Sequence, residues 1–285
     1  MRLWIHTALQ MCLYCTVEIH FLQTIISVEC LQVSNRIQEE FIQKKEPVRL
    51  NKYLSEAGVC SRREADRLIE SGKVTVDGQP ARTGMRILPG QVVKLGKRIV
   101  SKQDDMVVLA VNKPKGIVCT EEKRERNSIV RFLNYPVRVT YVGRLDKDSR
   151  GLLLMTNNGD IINRMMRAAN RHEKEYKVTV DHEITPEFLS RMAAGVPILD
   201  TVTRPCTVKQ VGKYTFSIIL TQGLNRQIRR MCQALGYEVK DLVRVRVMNI
   251  YLDGLKEGEY RKLTDRELEE LYDMIKDSPG TAYGR

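Results

Sequence analysis

Apolar side chains recur at two periods along this chain, and the switches between them mark out its elements. Leu50, Tyr53, Leu54 and Ala57 fall at helical spacing, and Gly58 follows where that helix has to end. Ser61 opens a second helical stretch with Glu64 three positions on, the pattern of a capping box. Ala65, Leu68 and Ile69 form its apolar stripe, and Gly72 stands where a left-handed C-terminal cap belongs. The period then drops to two. Residues 74–78 read as a strand entering an Asp-Gly turn, and 91–96 as a second strand.

Asp104 and Asp105 form a short polar hinge, beyond which the pattern predicts a larger domain. Its strands are expected at 107–111, 152–156, 176–180, 214–220 and 239–252, and its helices at 159–169, 185–194, 225–235 and 264–276. Thr264 and Glu267 form another capping box. Strands with helices between and after them predict an α+β fold. A small α/β module over 48–103 is followed by a domain over 106–276, built on a mixed, mainly antiparallel sheet with flanking helices. Residues 1–47 read as an unassigned N-terminal extension and 277–285 as a flexible tail.

Charge changes this picture more than composition does. The 285 residues carry 47 Lys+Arg against 35 Asp+Glu, a formal net charge of +12, which favours a polyanionic partner. The excess is concentrated. Twelve basic and five acidic residues lie in 48–103, whereas 1–47 hold four basic and five acidic ones. On the second helix Arg62, Arg63 and Arg67, with Lys73 just beyond, are candidate RNA contacts. Cations so close to a helix start oppose the helix dipole, a local cost that bound phosphate would offset. The plain alternative is a solvated helix face.

Seven scattered cysteines match reduced thiols in the cytoplasm better than a disulfide framework. Cys12 and Cys15 form a CxxC, but no second pair of ligands accompanies them, so no metal or cofactor is expected. The apolar run in 1–33 is broken by His6, Gln10, Glu18, His20 and Gln23, and falls short of the ~20 residues of a membrane span.

Three segments carry candidate chemistry. In 143–160 a turn glycine precedes Arg144, Leu145 and Asp146, just before a buried-looking strand. Such an Asp is ordinarily a turn former. Asp148 raises the paired carboxylates of glycoside hydrolysis, but in an extended segment the two would share a face at ~6–7 Å, and nothing else looks sugar-binding. In 172–181 Tyr176 alternates with Val178 and Val180, either as a core aromatic or as a flat ring for a nucleobase. In 220–236 Asn225 opens a helix bearing Arg226, Arg229 and Arg230. Arg226 and Arg230, one turn apart, can face phosphate, while Arg229 lies between the inward Ile228 and Met231. An inward arginine needs a carboxylate, and Asp146 is the natural partner.

Residues 49–78 resemble the S4 RNA-binding domain. The motifs GRLDKDSRGLLL and GLNRQIRRM, with Tyr176 between them, resemble the RNA pseudouridine synthases that carry an N-terminal S4 domain. The resemblance implies that Asp146 is the catalytic nucleophile, Tyr176 the base-stacking and proton-handling residue, and Arg229 the partner of Asp146. It also implies an isomerase that needs no cofactor and flips its target uridine out of folded RNA. Within the family, 167–180 and 193–206 are most similar to the dual-specificity enzyme of 23S rRNA, which also acts on tyrosine tRNA. Arg144, Asn225, Arg226 and Arg230 would then contact RNA, and the protein is expected to act as a monomer. Two other readings are a ribosome-associated protein that only binds RNA, and a peripheral membrane protein anchored by 1–33.

Overall fold

The computed structural model describes residues 47–101, 106–122, 124–167 and 171–278. The expected N-terminal extension, the CxxC, the Asp104–Asp105 hinge and nearly all of the tail lie outside these residues. The chain divides into two compact units, with the boundary after Ser101.

The first unit holds β1 (Val48–Arg49), α1 (Leu50–Glu56), α2 (Arg62–Glu70), β2 (Val74–Val76), β3 (Gln79–Pro80), β4 (Arg86–Ile87), β5 (Val93–Leu95) and β6 (Arg98–Val100). Four of these strands form an antiparallel sheet in the order β3-β2-β5-β6, and β1 pairs with β4. Asp77 and Gly78, at φ 51 and 82, make the tight turn between β2 and β3, as the Asp-Gly pair predicts. Ser61 caps α2 by accepting from the Glu64 N–H at 3.3 Å. The apolar positions at helical spacing turn inward: Leu50, Leu54, Ala65 and Ile69 are buried together with Val74, Val76, Val93 and Val100.

The second unit is built on nine strands. In chain order they and their neighbours are β7 (Val108–Lys113), α3 (Ile129–Leu133), β8 (Thr140–Val142), β9 (Arg150–Thr156), α4 (Gly159–Met166), β10 (Lys174–Val180) and α5 (Pro186–Ala194). A two-stranded ribbon, β11 (Pro197–Ile198) with β12 (Thr201–Val202), precedes β13 (Thr207–Gly212), β14 (Thr215–Leu220) and α6 (Gln227–Ala234). The chain ends in β15 (Val239–Val247), β16 (Ile250–Tyr251), β17 (Tyr260–Lys262) and α7 (Asp265–Ile275). The sheet runs β13-β14-β10-β15-β9-β7-β17, with β8 on β9 and β16 on β15. Every pairing within it is antiparallel except β15 with β9. The expected mixed, mainly antiparallel sheet is therefore present, with its parallel seam at the centre.

The strand expected over 239–252 is broken. Met248, at φ 54, turns the chain so that β16 folds back on β15. The helix expected from 225 begins two residues later, for a reason that belongs to the site. Three apolar clusters cover the sheet. One packs α5 and α6 on β10, β14 and β15; one packs α4 and α7 on β7, β9 and β15; the third lies under α3. Tyr176 touches the first and the third.

Candidate active site

Asp146 stands in the connection from β8 to β9. Gly143, at φ 74, opens this loop, and a Cβ there would lie 2.9 Å from Met166 Sδ. Leu145 is buried in the cluster under α3 and its N–H points at Cys119 Sγ, 3.5 Å away. The chain then turns sharply rather than running extended, so the two carboxylates are not neighbours along a strand face.

Four consecutive carbonyls of this turn each receive a donor. Asp146 O accepts from Ser149 N at 3.1 Å and Lys147 O from Gly116 N at 2.7 Å. Asp148 O accepts from Arg229 Nη2 at 3.0 Å, and Ser149 O from Lys113 Nζ at 2.7 Å. Lys113 is fully buried at the end of β7 and also donates to Pro114 O at 2.9 Å. Each bond is individually modest, about 1 kcal/mol net. Together they come from β7, the following turn and α6, and leave the backbone at Asp146 little freedom.

The seam between β9 and β15 brings the aromatic residue across. Gly151 pairs with Arg244, and Arg244 pairs with Tyr176 on β10. The approach requires a glycine: Gly151 has φ +104, and a Cβ there would meet Arg244 N at 2.7 Å. Tyr176 is thus two strands away from the strand that Asp146 leads into, half-buried between two cores.

Arg226 is the N-cap of α6 and adopts a left-handed conformation, φ 49 and ψ 35, that costs a non-glycine residue about 1 kcal/mol. Gln227 holds it there, accepting the Leu224 N–H at 3.0 Å on Oε1 while its own N–H bonds Leu224 O at 3.2 Å. The turn delays the helix and aims Arg226 at the acidic loop. Its guanidinium makes a two-pronged contact with Asp148, at 3.2 and 3.0 Å, and stands 3.6 Å from Asp146 Oδ2.

This arrangement corrects one expected pair. Arg229 does not pair with Asp146. It donates to Asp148 O, to Ser149 Oγ at 3.3 Å and to Val239 O at 3.3 Å, and its Nε lies 3.3 Å from Asp148 Oδ2 without a hydrogen-bonding angle. The reason is the turn: it swings Asp148, not Asp146, over the first turn of α6. The Arg226 fork, helped by Arg229, holds the Asp148 carboxyl below the usual carboxylate range against the burial that opposes it. Asp146 is left with one long ion pair and a carboxylate 35% exposed.

The other candidate contacts are spread out. Arg144 is exposed on the Asp146 loop, while Arg230 turns back on Asn225, donating to its backbone O at 3.1 Å and its Oδ1 at 3.3 Å. Arg62, Arg63, Arg67 and Lys73 are exposed on the first unit. Among the described residues no group of three or more His, Cys, Asp or Glu side chains is placed to hold a metal, and no helix is long and apolar enough to cross a membrane.

Sequence reasoning missed Lys113, Ser149, Lys174 and Arg244. A lysine closing a wholly buried strand just before Pro114 was the available signal for the first. Ser149 needed the turn of its loop onto α6, and Lys174 and Arg244 needed the β10–β15 register.

A sequence model of the RNA pseudouridylate synthases matches residues 107–234, the span holding Asp146, Tyr176 and α6. A curated relative, the dual-specificity RNA pseudouridine synthase RluF of Escherichia coli strain K12, is 55% identical over 233 residues, covering 81% of this chain and 80% of its own. The chain belongs to the RNA pseudouridine synthases. As a member of that family it is an isomerase, and its first unit is matched over 48–93 by the S4 domain. The ribosomal large subunit pseudouridine synthase B of Bacillus subtilis is 34% identical over 232 residues, covering 78% of this synthase and 95% of its own chain. A solved pseudouridylate synthase superposes with a TM-score of 0.59 at 28% identity, over 79% of this chain and 99% of the other.

Proposed function

We propose that this synthase converts a specific uridine of 23S rRNA to pseudouridine, with tyrosine tRNA as a second substrate, working as a cytoplasmic monomer. Asp146 meets C1′ of the flipped nucleotide, and Tyr176 stacks on the uracil and handles its proton. Arg226 and Arg229 fix the loop between them, so the arginine expected to hold Asp146 acts instead through Asp148. Arg62, Arg63, Arg67, Lys73 and Arg144 grip RNA phosphates. Asn225, Arg226 and Arg230 contribute there only with donors the protein leaves unused.

The observation that carries this reading is the contrast within the loop. Asp148 is clamped by a fork, whereas Asp146 keeps an accessible carboxylate on a backbone whose carbonyls are all occupied. Supporting the substrate assignment are the words "dual-specificity" and "ribosomal large subunit" in the names of the two relatives. Isomerisation leaves composition and oxidation state unchanged, so the chain's own residues need only break one bond, hold the base and close another. A positioned carboxylate does the first, and a dry pocket keeps the detached base from escaping.

The test is Asp146→Asn, assayed by mapping pseudouridine at nucleotide resolution on unmodified 23S rRNA and tyrosine tRNA. Turnover should fall by more than about a thousandfold, with RNA affinity and thermal stability retained. Persistent turnover would remove the mechanism. Product on rRNA alone would remove the second substrate.

A further inference from the structure

Among the described residues, two cations beside Tyr176 have no counter-ion. Lys174 and Tyr176, two positions apart on β10, point to the same side of the sheet, and Arg244 stands opposite Tyr176 in register on β15. That register depends on a bulge, which skips Val245 so that Tyr176 faces Arg244 rather than its neighbour. Arg244 is 2% exposed; its Nε donates to Leu152 O at 2.7 Å, and its Nη2 has no partner. Lys174 is half-buried and makes one hydrogen bond, to His172 O at 3.2 Å. Among the described residues no carboxylate pairs with either, because Glu173 and Glu175 are both taken by Arg246. Desolvated charge without a partner costs several kcal/mol, so these two side chains are placed for something that arrives.

We infer that Lys174, backed by Arg244, binds the oxygen edge of the uracil and holds the negative charge it carries once detached from the sugar. The inference rests on the reading that Tyr176 stacks on this base. When the N1–C1′ bond breaks, its electron pair stays on the ring, spread over N1 and the two carbonyl oxygens, while Asp146 meets the electron-poor C1′. The ring turns, C5 donates a pair to C1′, and the carboxylate is released. The proton on C5 leaves and N1 gains one, so nothing is oxidised or reduced. Side chains two apart on a strand lie about 6–7 Å from each other, so a base stacked on Tyr176 brings its edge within reach of the lysine. Fixed cations in a water-poor site stabilise such charge far better than water does, and removing one such donor costs on the order of 10² in rate.

Burial, with Arg244 adding to it, already pulls the Lys174 ammonium down to about 8. The other groups around it are His172, which bonds Arg164 O and Ser278 Oγ, and whose own titration burial pushes below its ordinary range, away from this limb. The experiment is single-turnover kinetics at saturating tRNA or rRNA transcript from about pH 6 to about pH 10, for wild type, Lys174→Met and Lys174→Arg, with RNA affinity measured against salt. Lys174→Met should be about a hundredfold slower with affinity nearly unchanged. The wild-type rate should fall as pH rises through about 8, the limb should vanish in Lys174→Met, and Lys174→Arg should restore the rate and move the limb upward. An unchanged saturated rate with salt-sensitive loss of affinity would make Lys174 a phosphate contact and overturn the inference, as would an alkaline limb that survives in Lys174→Met. If Asp146→Asn is inactive in the same assay, such a result leaves the reading of the site standing.

Discussion

On α2, Arg62 and Arg63 are exposed and make no hydrogen bond or ion pair with any described residue, and Arg67 reaches only Glu64, at 3.5 Å. At the start of α6 every arginine is engaged: Arg226 with two carboxylates, Arg229 with three acceptors, Arg230 with Asn225. Both helices thus place cations where the helix dipole opposes them. What differs is the supply of acceptors. The turn at 146–149 presents carbonyls that cannot be left without donors, plus a carboxylate, and α6 supplies the donors to Asp148 O and to that carboxylate. Among the described residues nothing of this kind faces Arg62 or Arg63, so an anion from outside would relieve their repulsion. On the reading proposed above, arginines at α6 set geometry, whereas those on α2 set affinity.

The sharpest way to break this contrast is to remove a buried anchor of the loop. Lys113→Met deletes the donor to Ser149 O and Pro114 O. Two orphaned carbonyls cost about 1–3 kcal/mol each, but an ammonium whose titration is pulled down, chiefly by burial and further by the Arg244 charge, is no longer kept from water, which returns a similar amount. Stability should therefore change little, while a loop displaced by even ~1 Å loses about a hundredfold in turnover. Denaturation and single-turnover rates measured together check this. Equal losses in both, or none in turnover, would mean that the loop is not held from β7.

How far the sequence disclosed the molecule depends on the range of the interaction. Local signals held: the Ser61 and Thr264 caps, the Asp77–Gly78 turn and the buried run at 152–156 stand where pattern put them. Asp146, Tyr176 and Arg229 were each visible as residues, through the motifs around them. Their pairing was not, because it depends on a turn that rotates Asp148 into the place assumed for Asp146 and on a left-handed Arg226 that no propensity favours. Lys174 and Arg244 were illegible for the same kind of reason. A bulge of one residue decides which side of β15 faces Tyr176, and alternation counted along β15 alone does not locate it.

A smaller effect is expected on α2. Replacing Arg62, Arg63 and Arg67 together with Ala should weaken RNA binding about tenfold at moderate salt and lower the salt slope by two to three counterions, at roughly 0.7–0.9 per phosphate contact. Because these side chains engage so little within their own unit, stability should stay within about 0.5 kcal/mol. Filter binding across a salt series checks both statements. An unchanged slope would show that this face does not touch phosphate, and the contrast with α6 would lose its meaning.

The smallest effect discriminates most finely, because it asks whether the Arg226 fork is a structural tie. The folded-state titration of Asp148 lies below its ordinary value, chiefly because of the hydrogen bonds from Arg226. A carboxylate so shifted contributes stability above the ordinary carboxylate range and loses it as pH falls through the depressed folded value. Arg226→Met keeps the left-handed backbone problem unchanged and removes the fork. Wild type should exceed it by less than about 1 kcal/mol near neutral pH, since both partners are well exposed, and the gap should narrow with acid and with salt. Urea denaturation at about pH 7 and about pH 3 measures it, with Asp148→Asn closing a double-mutant cycle. If the fork is instead free for an RNA phosphate, the two proteins will be equally stable at both pH values and differ only in affinity, which would move Arg226 from the α6 side of the comparison to the α2 side.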